Sequence, residues 1–87
     1  MCTYLTEQIE ITGSGKGAGG WFALSNASVY FDHPVHAMAE HTLNIDFRNP
    51  GQGPAARVAV ELTAESARAL AKAIEETLAS APPGMVA

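Results

Sequence analysis

His41-Thr42-Leu43-Asn44-Ile45-Asp46-Phe47-Arg48 alternates apolar and polar side chains, with Leu43, Ile45 and Phe47 on one parity and Asn44, Asp46 and Arg48 on the other. Successive side chains of an extended chain point to opposite faces, so this stretch predicts a strand with one face on a core. Downstream, Asn49-Pro50-Gly51-Gln52-Gly53-Pro54 is dense turn chemistry, and residues 57–62 resume the alternation with Val58, Val60 and Leu62 inward. Thr63 then predicts a helix N-cap, because Ala67, Leu70, Ala71, Ile74 and Leu78 fall on one helical stripe after it. The helix is expected to end near Ser80, since Pro82-Pro83-Gly84 cannot continue it.

Upstream of His41, residues 21–32 predict another strand, in which Ala27, Val29 and Phe31 alternate with Ser28, Tyr30 and Asp32. Residues 3–12 predict the first strand, with Leu5, Ile9 and Ile11 on the apolar parity. Glu7 shares that parity, which implies either a bulge or a carboxylate facing inward at a sheet edge. Residues 13–20, Gly-Ser-Gly-Lys-Gly-Ala-Gly-Gly, predict a flexible hairpin loop centred near Lys16, because ordering each glycine costs backbone entropy. The expected fold class is α+β, a four-stranded antiparallel meander with one C-terminal helix on one face. Residues 1–81 read as a single domain and 82–87 as a flexible tail.

Composition narrows the function classes. Five Lys and Arg stand against nine Asp and Glu, a net charge of -4 that repels a phosphate backbone, so nucleic acid is not an expected partner. The apolar stretches are too short to cross a bilayer, and the first residues lack the basic and apolar regions of a leader, so no membrane is expected. Cys2 is the only cysteine, which excludes an internal disulfide and fits a reducing, cytoplasmic setting. An 87-residue chain has a small core that gains from a metal or a partner subunit, and an open sheet face or edge favours a homodimer or higher homo-oligomer.

The three histidines all lie in Asp32-His33-Pro34-Val35-His36-Ala37-Met38-Ala39-Glu40-His41. His33 closes one strand and His41 opens the next, so an antiparallel connection sets them opposite each other with Cα atoms about 4.5–5.5 Å apart. Cys2, Asp32, Glu40, His36 and the helix N-terminus are expected at the same end of the sheet. Imidazole, thiolate and carboxylate are the donors that bind zinc and related divalent transition metals. The leading functional reading is therefore a metal site with His33, His36, His41 and Cys2 as ligands, zinc first, and Glu40 as a general base if the site is catalytic. The spacing H-x2-H-x4-H is no established metal signature, and solvated histidines remain the plain alternative. A further reading is a metal-free oligomeric binding module for a small anionic or aromatic ligand. Cys2 as a lowered-pKa nucleophile is a minor one. Gly13-Ser14-Gly15-Lys16-Gly17 lacks the order of a phosphate-binding P-loop and precedes a strand, where a P-loop precedes a helix. Trp21 and Phe22 are expected to close the end of the core, with an interface or ligand contact as the alternative.

The opening Met1-Cys2-Thr3-Tyr4-Leu5-Thr6-Glu7, the Val29-Tyr30-Phe31-Asp32-His33-Pro34 and Glu40-His41 blocks, and the stretch from Val58 to Ile74 resemble a family of small uncharacterised bacterial single-domain proteins. The likeness covers nearly the whole chain. It implies a single-domain organisation and carries no activity or site residue with it.

Overall fold

The alternating segments pair as a meander in the computed structural model, which describes residues 5–86. Four strands, β1 (Thr6–Gly17), β2 (Gly20–Asp32), β3 (Thr42–Arg48) and β4 (Arg57–Leu62), lie in sequence order, each antiparallel to the next. Helix α1 (Ala64–Ser80) follows, and short 3-10 turns occupy Pro50–Gln52 and Pro83–Met85. No helix among the described residues is long and apolar enough to cross a membrane.

Register turns the parities into rows. Ile9, Ala27, Phe47 and Val58 align across the sheet, and Val29, Ile45 and Val60 form the next row. Phe31, Leu43 and Leu62 form a third. Glu7 pairs with Val29, so its carboxylate sits on the apolar row at the edge strand, where solvent reaches it. A register shift does occur in β1, but between Glu10 and Gly13 and not at Glu7.

The glycine run departs from expectation: it is strand as far as Gly17, and the turn is Ala18-Gly19, closed by a Gly17–Gly20 pair. Gly20 takes φ +112, a conformation that suits glycine. The run is ordered because β2 lays large side chains over it. A Cβ on Gly15 would stand 3.3 Å from Leu24, and one on Gly17 would stand 3.2 Å from Phe22. Bare glycine backbone covered by neighbouring large side chains is how a glycine-rich edge is kept in a sheet. Gly15→Val is therefore expected to push Leu24 aside and lower the melting temperature, whereas Gly13→Ala, with no described residue within 4 Å of the added carbon, is expected to leave it nearly unchanged. Trp21, at the tip of this hairpin, is 71% exposed and does not close the core.

The turn between β3 and β4 is held by Asn49, whose side chain accepts from the Gly51 N–H at 3.1 Å and donates to the Ala23 carbonyl at 2.9 Å. Thr63 caps α1 as expected, its hydroxyl accepting from Ser66 N–H at 3.1 Å. The helix packs against β3 and β4, and its stripe leans over Val29, Leu43, Ile45 and Leu62 without closing on them.

Burial runs opposite to the usual order. Among the described residues the buried apolar side chains are only Ala27 and Ala56, whereas Thr42, Ser28 and Asn44 on the polar side are buried. The polar face is partly covered, and the apolar face stands half open.

Candidate functional site

Glu61 organises the covered face. It lies on β4 beside Asn44, and its carboxylate accepts from three consecutive backbone N–H groups of the 33–41 connection, those of Val35, His36 and Ala37. The His36 and Ala37 bonds are both 2.9 Å. Successive backbone amides turned toward one point form a concave anion-binding nest, here filled by the protein's own side chain. These donors hold the Glu61 carboxyl below the usual carboxylate range, the Val35 bond contributing most. The connection is thereby pinned across the polar face from a residue about 25 positions away in sequence.

Beneath and beside this loop lies an open cleft of about 690 Å³, bordered by Tyr30, Asp32, His36, Asn44, Asp46, Arg57 and Glu61. Asp46 is its electrostatic centre. One carboxylate oxygen accepts from Arg57 Nη2 at 2.7 Å and the other from the Tyr30 hydroxyl at 3.1 Å. Burial, and then the Asp46 charge, push the Tyr30 hydroxyl above its usual range, so it stays protonated and donating. Arg57 is half exposed, borders the cleft and uses one of its guanidinium nitrogens on Asp46, which leaves further donors on the same group. The three carboxylates are thus answered by partners within the protein, Asp46 by Arg57 and Tyr30, Glu61 by the loop amides and Asp32 by the His33 N–H, and the guanidinium retains spare capacity. Arg48, opposite Arg57, donates from Nη2 to the Ser28 hydroxyl at 3.0 Å, while its Nε is buried with no partner among the described residues.

The histidines divide. His33 and His41 stack with ring centroids 4.6 Å apart and planes 28° apart, and His41 also stacks on Phe31 at 5.9 Å. The Asp32 carboxylate accepts from His33 N–H at 2.7 Å, and His33 Nδ1 lies 3.0 Å from the Glu40 carbonyl oxygen. A carbonyl only accepts, so Nδ1 carries a proton and donates in this contact. A metal must lie in the plane of each ring it binds, so these two rings would have to turn out of their stack to share one. His36 borders the cleft and is not part of the stack. Glu40 meets His33 through its backbone. No group of three His, Cys, Asp or Glu side chains among the described residues is arranged to hold an ion. Cys2 lies outside the described residues.

A family model described as a family of unknown function, DUF6295, matches residues 1–87. The chain belongs to DUF6295. This agrees with the resemblance to a small uncharacterised family. No curated protein and no solved structure gives a significant match. In this DUF6295 chain the adjacency of His33 and His41 follows from strand spacing alone. Tyr30, Asn44, Asp46, Arg57 and Glu61 gave a weaker signal, a polar parity with opposite charges on neighbouring strands. The nest around Glu61 left no local sign, because its donors are backbone groups of a loop.

Proposed function

We propose that this chain is a small binding module whose polar cleft holds a small anionic ligand. The observation that carries the reading is the half-exposed Arg57 guanidinium, fixed by Asp46 at 2.7 Å and facing a cleft walled by the loop that Glu61 pins. A guanidinium oriented in advance loses little freedom when it receives a carboxylate or phosphate, and charge-assisted forks of this kind are strong. Tyr30, Asn44 and His36 supply further polar contacts around it. Calorimetric titration with inorganic phosphate, a short dicarboxylate and benzoate tests the proposal. At least one should bind, with affinity lowered about tenfold or more in Arg57→Gln. Equal behaviour of the variant and the parent, or no binding by any of the three at millimolar concentration, would contradict it.

A second reading rests on the contact between His33 and His41. Unstacked by a ring rotation, these two imidazoles with His36 and Cys2 supply a donor set suited to zinc, and Glu40 stands one residue away as a base. It predicts stoichiometric zinc in protein purified without a polyhistidine tag and a lower melting temperature after chelation, both abolished by His33→Ala with His41→Ala. Metal-free protein with an unchanged melting curve would remove it.

A further inference from the structure

We propose that the open apolar face is the association surface of a symmetric homodimer, in which α1 of each protomer enters the wedge between sheet and helix of the other. The surface lies on the opposite side of the sheet from the cleft, so the inference stands apart from the ligand proposal.

Surface area gives the first reason. The chain exposes 6502 Å², whereas a compact monomer of 9.1 kDa exposes about 4,900 Å². The excess, about 1,600 Å², is twice the roughly 800 Å² that each partner contributes to a stable interface. Half that excess would suffice. The radius of gyration agrees, at 14.4 Å against about 12 Å for a compact chain of this length.

Part of the exposed apolar surface lies where a partner of the same shape fits. Leu70, Ile74 and Leu78 are 44%, 51% and 54% exposed on the helix stripe. A groove of about 350 Å³ separates that stripe from Val29, Leu43, Ile45 and Leu62. Leu5 and Ile9 extend the apolar area to the edge strand. Glu7 interrupts this area between Leu5 and Ile9 on the edge strand, and Arg68 stands at one end of the groove.

The helix itself carries the pattern of a helix–helix seam. Ala67, Ala71, Ile74 and Leu78 follow one another at spacings of four, three and four, the a and d rhythm of paired helices, with small residues that permit close approach. Lys72 and Glu76 pair at 4.0 Å on the opposite side of α1, where water remains. A two-fold axis would bring each seam onto its own copy and place each stripe over the other protomer's groove, making sheet–helix–helix–sheet layers.

Light scattering and thermal melting across a hundredfold range of protein concentration test the dimer. The expected results are a mass twice the 9.1 kDa of the chain and a melting temperature that rises by about 5–8 °C over that range. Ile74→Glu should abolish the double-mass species, whether the variant folds or not, while Glu76→Gln on the far side of α1 should retain it. A folded species of single mass, with a melting temperature independent of concentration, would overturn the proposal and leave the face to another occupant. So would an Ile74→Glu variant that keeps the double mass.

Discussion

Ile74→Ala is expected to destabilise the protein by about 2–4 kcal/mol per chain, the cost of deleting a large aliphatic side chain from a packed interior. In an isolated protomer the same side chain is 51% exposed, and truncating it there would cost only about 1 kcal/mol. The two values are far enough apart for chemical denaturation to separate them. The larger is expected because Ile74 lies midway along the helix seam, beside Leu70 and opposite the groove lined by Val29 and Ile45. An added chain would remove that whole group from water. Leu78→Ala should follow the same rule. Ala27, already buried within one protomer, reports on the sheet alone.

The second large effect is expected at Glu61. Replacing it with Gln removes the charge that three backbone N–H groups converge on and presents an amide that can direct donors back at them. Amide exchange at Val35, His36 and Ala37 should speed up by about tenfold or more, and anion affinity at Arg57 should fall because the cleft loses a wall. Proton titration should act in the same direction. The folded carboxyl titrates below its ordinary value of 4.5, so its contribution is complete above that pH and is lost as the pH falls through the lower folded value. The loop should therefore release on acidification, and the Glu61→Gln variant should show no such step. Amide exchange followed by NMR from neutral to acidic pH reads both outcomes.

Much of the fold is legible in local pattern. Leu43, Ile45 and Phe47 align with Val58, Val60 and Leu62 because a one-residue slip would move every apolar side chain to the wrong face. Thr63 and the stripe that follows it place the helix within a residue of its observed limits. The glycine run misleads because the stabilisation of Gly15 and Gly17 comes from Leu24 and Phe22 on the neighbouring strand and not from the run itself. The site is less legible for the same reason. Strand spacing brings His33 to His41, yet it says nothing of ring orientation, and the two rings stack. The Glu61 nest joins a side chain to backbone groups with no residue-type signature. Periodicity in α1 marks an apolar stripe but cannot say whether its own sheet or a second copy covers it.

Apolar closure by a second chain is tested most directly by an isotope-filtered NOE experiment on protein mixed, unfolded and refolded together from labelled and unlabelled chains. Cross-peaks between protomers are expected from the Ile74 and Leu78 methyls to each other and to those of Val29, Ile45 and Leu62. An absence of intermolecular cross-peaks, or peaks confined to Tyr30, Asn44 and Arg57 on the polar face, would contradict it.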